Sequence, residues 1–320
     1  MTEREMRNVE SANLPEQAVP AKRWRSGLGS AGSRDDRMLF TGDIHNKGSR
    51  LCPMIEEAAN RVDAGTIVLL GDLLNEWTVT AEGEAAAFEM LAEWVRKQRR
   101  HRKVIVLLGN HDLAYYVESG TRDFRAFTNT CPGFHYGSWP DVHPLLLDMK
   151  PQIMFGFTDK AGHEVLASHA GITAQWFAWM CNELVQAGES IPANPSAVEL
   201  ADMVNAFSHG HIGDGIRSLG LMVGPERGGW AGSVPSPCWA GMNELANDPL
   251  QGFNQIVGHT PVYTVLSRRC APGTGAHGKR SRARLWYADT HSLMRNGAPI
   301  GDSSFLFYDK ASGDAWRVSV

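Results

Sequence analysis

The apolar positions of this chain fall into two recurring patterns. Short unbroken runs, Met38-Leu39-Phe40, Ile67-Val68-Leu69-Leu70 and Val104-Ile105-Val106-Leu107-Leu108, alternate with longer stretches in which apolar residues return every three or four positions. Each run is short, continuous and followed by a turn signal, which predicts a strand buried on both faces. Between the runs, Leu51, Met54, Ile55, Ala58, Ala59 and Val62 share one helical face; Phe88, Leu91, Ala92 and Val95 share another, within a helix predicted over 81–99. Strands alternating with helices in this way predict a parallel sheet covered by helices, with ligands bound at the carboxyl ends of its strands.

Beyond Asp112 the pattern is less regular. Residues 153–158 and 164–168 predict a hairpin, and 252–257, 285–288 and 304–308 predict late strands of a second sheet. Helices over 173–186 and 196–207 read as a lid or insertion, and the Gly-, Pro- and Ser-rich stretch 227–239 as a structured loop. Residues 1–36 are polar, mixed in charge and rich in Ser, Gly and Pro, so they read as a disordered or loosely attached tail, with Trp24 as a residue able to dock; residues 37–320 form the folded domain.

Bulk numbers narrow the class. A chain of 320 residues with 43% hydrophobic and 21% charged residues is an ordinary globular protein, and a net charge of -4 supplies no strong field for nucleic acid or membrane surfaces. No apolar run approaches the roughly 18 residues of a membrane span. The cysteines Cys52, Cys131, Cys181, Cys238 and Cys270 are odd in number and lack metal-ligand spacing, which points to reduced thiols and a cytoplasmic location.

The chemistry lies in five motifs in chain order: Gly42-Asp43-Ile44-His45, Gly71-Asp72, Gly109-Asn110-His111-Asp112, Ser168-His169-Ala170-Gly171 and Gly258-His259-Thr260. The first three follow the three apolar runs. Asp, Asn and Gly also favour turns for conformational reasons alone, but five such motifs together supply the donors for two metal ions. Asp43 and His45, two apart at a strand end, point to one side and can grip one ion; Asp72 can bridge two ions through its two oxygens; Asn110, His169 and His259 complete the second shell. Mixed oxygen and nitrogen donors suit Mn first, with Fe, Zn or Ni as alternatives. Two ions about 3.5–4 Å apart bind phosphate oxygens and lower the pKa of a bridging water.

These motifs resemble the calcineurin-like metallophosphoesterase superfamily over residues 37–320, with the ordering closest to its phosphoprotein-phosphatase-like and bacterial diadenosine tetraphosphatase branch. The segments Glu226-Arg227-Gly228-Gly229, Pro237-Cys238-Trp239, Ala288-Asp289-Thr290 and Phe305-Leu306-Phe307-Tyr308 are similar to that branch as well. The resemblance implies a four-layer α/β/β/α sandwich, here with a helical lid insertion. It implies two-metal hydrolysis of a phosphate ester by a metal-bridging hydroxide, His111 as proton donor or transition-state stabiliser, and Arg227 as phosphate clamp, with Asn110, His111 and Arg227 binding substrate. The second motif departs from the branch: Asn75 stands where an Asp would pair with His111, and Glu76 where an Arg would bind phosphate. Both changes point away from protein substrates and leave the ligand set intact.

The expected activity is therefore that of a phosphomonoesterase acting on a phosphorylated small molecule or nucleotide. Hydrolysis of dinucleoside polyphosphates, a phosphodiesterase or nuclease activity, and a degenerate binding scaffold are the alternatives; the filled ligand positions speak against the last. Two further features stand apart. His209-Gly210-His211 with Asp214 reads as structural or as part of the lid, and the basic stretch 268–284 as a mobile loop that would collect polyanions if nucleic acid were a partner.

Overall fold

In the computed structural model, which describes residues 16–21, 32–211, 221, 223–274 and 280–320, the three apolar runs lie side by side. The first half of the chain runs β1 (Gln17–Ala18), β2 (Arg37–Thr41), α1 (Gly48–Arg61), β3 (Thr66–Leu69), α2 (Ala81–Gln98), β4 (Lys103–Val106), α3 (Leu113–Tyr116), α4 (Arg122–Thr130) and α5 (Trp139–Asp148). The second half runs β5 (Met154–Thr158), β6 (Glu164–Ser168), α6 (Ala174–Gln186), α7 (Ala197–His211), α8 (Met242–Asn247), β7 (Phe253–Val257), β8 (Leu266–Arg269), β9 (Gly273–Thr274), β10 (Arg280–Ser281), β11 (Arg284–Tyr287), β12 (Phe305–Asp309) and β13 (Asp314–Val318).

Among the described residues one sheet has the order β13-β12-β2-β3-β4, with β2, β3 and β4 parallel. The other has the order β1-β8-β11-β7-β6-β5, with β6, β7 and β11 parallel. Strand alternation divides the core. Met38, Phe40, Val68, Leu70 and Ile105 face Phe157, Val165, Ala167, Ile256 and Trp286 of the second sheet. Leu39, Ile67, Leu69, Val104 and Val106 face away, onto Leu51, Ile55, Phe88, Leu91 and Val95 of α1 and α2. Both faces of each central strand are thus buried, which is why those runs carry no polar alternation. The result is the expected α/β/β/α layering.

The two helices expected as a lid are instead the outer layer of the second sheet. Trp176 and Met180 of α6 and Leu200 and Val204 of α7 are buried in the same core as Leu166. Asn205 clamps α7 to the sheet edge: its Oδ1 accepts from Ile153 N at 2.9 Å and Met154 N at 3.0 Å, and its Nδ2 donates to Met154 O at 2.9 Å. The start of α7 lies so close to β5 that a Cβ on Gly156 would overlap the Ala197 carbonyl. The helix covers an edge strand that would otherwise present unpaired backbone.

The segment expected as a tail contributes structure where it is described. β1 pairs antiparallel with β8, Val19 is buried, and Asp36 forms a 2.6 Å ion pair with Lys160. Trp24 lies outside the described residues. The described ends of the basic stretch 268–284 are strand rather than loop: Arg268 and Arg269 end β8, Arg284 starts β11, and Arg268 pairs with Glu16 at 3.2 Å. Lys279 lies outside the described residues. No described helix is long and apolar enough to cross a membrane.

Candidate metal centre

All six predicted ligand residues meet where strands of the two sheets end on the same side. β2, β3 and β4 deliver Asp43, Asp72 and Asn110; β6 and β7 deliver His169 and His259. The chain turns sharply there. His45, Asp72 and His259 have φ of 43°, 47° and 61°, a left-handed region that side chains with a Cβ seldom occupy and that clusters at functional sites. Asp43 and His45 thus lie beyond the last strand residue, Thr41, and the turn rather than strand alternation brings their side chains together.

Backbone carbonyls fix the imidazoles. His45 Nδ1 donates to Leu74 O at 3.0 Å, which leaves Nε2 aimed at Asp43 Oδ2 (3.7 Å) and Asp72 Oδ2 (3.8 Å). His169 Nδ1 donates to Leu70 O at 2.8 Å, which leaves Nε2 3.0 Å from Asn110 Oδ1, 3.0 Å from His259 Nδ1 and 3.4 Å from Asp72 Oδ2. Orientation of a ligating ring through its far nitrogen is how metal-binding histidines are usually set. Two triads result, Asp43-His45-Asp72 and Asp72-His169-His259, with the ligand atoms of each within 4.8 Å of one another. His259 Nε2 is buried with no hydrogen-bond partner. Two carboxylates, one amide and three inward-turned imidazoles fit a pair of cations sharing Asp72.

The two oxygens of Asp72 face different partners: Oδ1 accepts the His111 backbone N–H at 2.9 Å, and Oδ2 lies 3.8 Å from His45 Nε2 and 3.4 Å from His169 Nε2. Gly109 makes this approach possible, because a Cβ there would overlap the Asp72 carboxylate.

The charges interact strongly at this burial. Burial, with Asp289 behind it, pushes the Asp43 carboxyl well above its ordinary range. Burial acts the same way on Asp72, but His169, His111 and His45 outweigh it and hold Asp72 well below. Burial opposes a proton on His169, yet Asp72 and Asp43 raise that ring to about 9. Burial takes His45 down to about 3, only partly offset by Asp72, and takes His259 well below its usual value. A buried site in which acids and imidazoles perturb one another this far has the signature of chemistry rather than packing.

Three predicted substrate contacts and both departures of the second motif surround a cavity of about 400 Å³ above these ligands. Asn110, His111 and Arg227 line it. Arg227 Nη2 donates to Thr260 Oγ1 at 2.6 Å, one residue beyond His259. The backbone carrying Arg227 is held by Glu226, whose Oε2 accepts from Asn243 N and Glu244 N at 3.1 Å, at the start of α8. His111 Nδ1 lies 3.2 Å from Asn75 Oδ1, so its partner there is an amide. Burial lowers the His111 ring pKa, and Asp72 only partly offsets this. Glu76 does line the cavity, but its charge is not free: Oε2 lies 3.1 Å from Lys47 Nζ. The expected repulsion of phosphate by Glu76 is therefore muted by a neighbouring cation.

Pro132, Gly133 and His135 also line the cavity, whereas among the described residues none of 173–225 does. His209 hydrogen-bonds Tyr116 at 2.9 Å and does not line it; Asp214 lies outside the described residues. Sequence reasoning overlooked Lys47 and Glu84 and gave Asp289 no role. Of these, Glu84 had a legible signal, because it occupies the same helical stripe as Phe88, Leu91 and Val95.

Overlapping ligand triads at the strand ends of a two-sheet sandwich define a metal-dependent hydrolase. A family model described as calcineurin-like phosphoesterase matches residues 37–291. The chain belongs to that family and is a metal-dependent phosphoesterase. No curated protein matches it. Among solved structures, a hypothetical protein from Pyrococcus horikoshii OT3 is 9% identical, with a TM-score of 0.45, over 89% of this chain and 87% of its own. A dimetal phosphatase from Danio rerio is 11% identical, with a TM-score of 0.34, over 88% of this chain and 98% of its own.

Proposed function

We propose that this phosphoesterase is a phosphomonoesterase acting on a small phosphorylated molecule with an apolar or aromatic organic part, and that it belongs to the phosphoprotein-phosphatase-like branch. The observation that carries this reading is the cavity. It is about 400 Å³ in volume and is lined by Asp43, His45, Asp72, Asn110 and His259 together with Arg227 and the largely apolar Trp239, Pro261, Leu293 and Ile300. That volume is at the small end of ligand sites; it suits one phosphoryl group and a modest organic group better than a dinucleoside polyphosphate.

Asp43 and His45 would hold one ion, Asn110, His169 and His259 the other, and Asp72 Oδ2 both; Mn fits this donor set, with Fe, Zn or Ni as alternatives. When bound, the ions supply positive charge for the phosphate oxygens and a water of lowered pKa. The chain supplies the rest. Arg227 grips phosphoryl oxygens with a planar fork of donors. His111 delivers a proton to the leaving oxygen. Trp239, Leu293 and Ile300 shield the organic group from water. Glu76 beside the entry disfavours phosphopeptides rich in acidic residues.

A nucleotide substrate is the second reading. Trp77 is 55% exposed at the cavity and carries the Arg295 guanidinium 5.1 Å above its ring, an arrangement that would stack a base. Assay of the Mn-supplemented protein with an aryl phosphomonoester, an aryl phosphodiester, a phosphopeptide and a dinucleoside polyphosphate separates these readings. The monoester is expected to turn over fastest. Faster cleavage of the diester or of the dinucleoside polyphosphate would overturn the assignment.

A further inference from the structure

Glu84 is a charged residue in the first two turns of α2, yet it is completely buried. Its carboxylate accepts three hydrogen bonds and faces His135, whose Nδ1 lies 3.4 Å from Oε2. Oε1 accepts the Tyr115 hydroxyl at 2.6 Å and the Ser138 hydroxyl at 2.5 Å, and Oε2 accepts Asn75 Nδ2 at 2.9 Å. Asn75 is itself buried, held at φ 63° in the turn after Asp72, and spans the space between Glu84 and His111. Besides Glu84, Nδ2 lies within hydrogen-bond distance of Tyr115 Oη (2.9 Å) and Gly133 O (3.1 Å). Its Oδ1 receives His111 Nδ1 at 3.2 Å and the Cys131 thiol at 3.0 Å.

The order of donors and acceptors along this chain of groups is forced. A carboxylate only accepts, so the Asn75 atom beside Glu84 is the NH2. Asn75 therefore turns its oxygen to His111. An amide oxygen only accepts, so His111 Nδ1 carries the hydrogen. That leaves Nε2 as the ring nitrogen able to exchange a proton. Glu84 is the charged acceptor on Nδ2, with the Gly133 carbonyl beside it at 3.1 Å, so weakening the acceptor at position 84 loosens the hold on Asn75 and with it the preference of the ring for this tautomer.

We propose that Glu84 is a positioning residue for the hydrolysis: through Asn75 it fixes the orientation and tautomer of His111. The proposal rests on the reading of His111 as proton donor. It separates Glu84 from a purely structural role as the hub that ties Tyr115 and Ser138 to α2.

The test uses the full-length, Mn-supplemented protein with two phosphomonoesters, an alkyl phosphate and nitrophenyl phosphate. The nitrophenolate leaves without help from an acid. Glu84→Gln is expected to lower kcat on the alkyl ester on the order of 10-fold, the low end for groups that orient a functional side chain. It leaves KM and metal content unchanged and alters nitrophenyl phosphate turnover little. Asn75→Asp sets a second carboxylate against Glu84 and lowers alkyl phosphate turnover further. The double variant Asn75→Asp/Glu84→Gln restores it, because the amide introduced at position 84 then donates to the carboxylate introduced at position 75, which in turn accepts from His111.

Nitrogen-15 NMR of the wild-type imidazoles reads the tautomer directly and needs no variant. Neutral His111 with its proton on Nε2 would overturn the proposal, whatever the variants do. Equal losses on both esters in a folded Glu84→Gln, with no recovery in the double variant, would reduce Glu84 to a structural hub. Failure of Glu84→Gln to fold leaves the NMR result and Asn75→Asp to decide. His111→Gln distinguishes the two levels: equal loss on both esters there sinks the proton-donor reading, while the wild-type tautomer still reports on Glu84.

Discussion

Asp72 accepts the backbone N–H of His111 at 2.9 Å through one carboxylate oxygen and turns the other toward His169 and His45. One side chain thus ties the residue expected to move a proton to the centre expected to hold metal. The tether fixes which oxygen faces His169 and His45, and it ties the loop 109–112 to Asp72.

Replacement of Asp72 by Asn should therefore act on both parts. The amide can still accept from His111 N, so the fold and the loop should survive. The atom facing His169 and His45 then becomes an uncharged NH2, which is no ligand for a cation, and turnover should fall at least on the order of 10²–10³, a loss known for removal of a single electrostatic group from an active site. Elemental analysis should show less than two equivalents of bound Mn. A variant with wild-type turnover and full metal content would refute sharing of Asp72 by two ions.

His111→Gln should lower turnover on the order of 10²–10⁴, the range for positioned acid–base catalysis. Bound metal should change little, since His111 belongs to neither ligand triad. The penalty should shrink as the leaving group improves. A plot of log kcat against leaving-group pKa, steeper in the variant than in the wild type, is the expected outcome; parallel lines would exclude proton donation.

The pair Lys47–Glu76 is the adjustable charge at the cavity. Burial lowers the Lys47 pKa, and Glu76, with Asp289 and Asp43 behind it, only partly opposes this. Glu76→Gln removes a negative charge from the cavity wall. It should lower KM for a dianionic monoester about five-fold relative to a monoanionic diester, the worth of roughly 1 kcal/mol between charges about 4 Å apart in water. Competing loss of charge on Lys47 would show as an effect that vanishes with rising pH. An unchanged monoester-to-diester ratio at every pH would mean that neither charge reaches the phosphate.

Away from the centre, Asp159 offers a pH-dependent test of the fold. Burial would raise its pKa, but hydrogen bonds from His163 N (2.8 Å), Tyr308 Oη (2.8 Å) and His163 Nδ1 (2.8 Å) outweigh it and lower the carboxyl below its usual value. A depressed folded-state pKa contributes stability that is complete above the unfolded value of about 3.9 and is lost as pH falls through the folded one. Asp159→Asn should cost about 1–3 kcal/mol near neutrality, the penalty for weakening bonds to a buried acceptor. In urea melts the gap between wild type and variant should stay constant above about pH 5 and close in more acidic solution. A gap independent of pH down to the acid limit would rule out a charged Asp159 in the folded state.

Much of the centre could be read directly from the sequence. Each of the first three motifs directly follows a strand whose continuous apolar character marks it as buried on both faces, and parallel strands necessarily end at one edge. His169 and His259 were legible because each follows a short predicted strand and stands beside a small residue. Those inferences need only local pattern and the geometry of a parallel sheet.

Other features depended on contacts between distant parts of the chain. The helices at 174–186 and 197–211 have the amphipathic pattern of any surface helix, which does not say whether they cover a sheet or a cavity; Asn205 and Gly156 decided that by docking α7 on β5. Glu76 reads as a repulsive charge until Lys47, 29 residues earlier, comes within 3.1 Å. Asn75 reads as the loss of a charged partner until Glu84 closes on its far side. The sequence by itself determined the strand ends, and with them the candidate ligand set, because periodicity and turn chemistry act within a few residues. Tertiary structure alone decided which oxygen of Asp72 faces the imidazoles, which amide atom meets His111 and which charges are paired. Those choices depend on distances of about 3 Å between segments that only packing brings together.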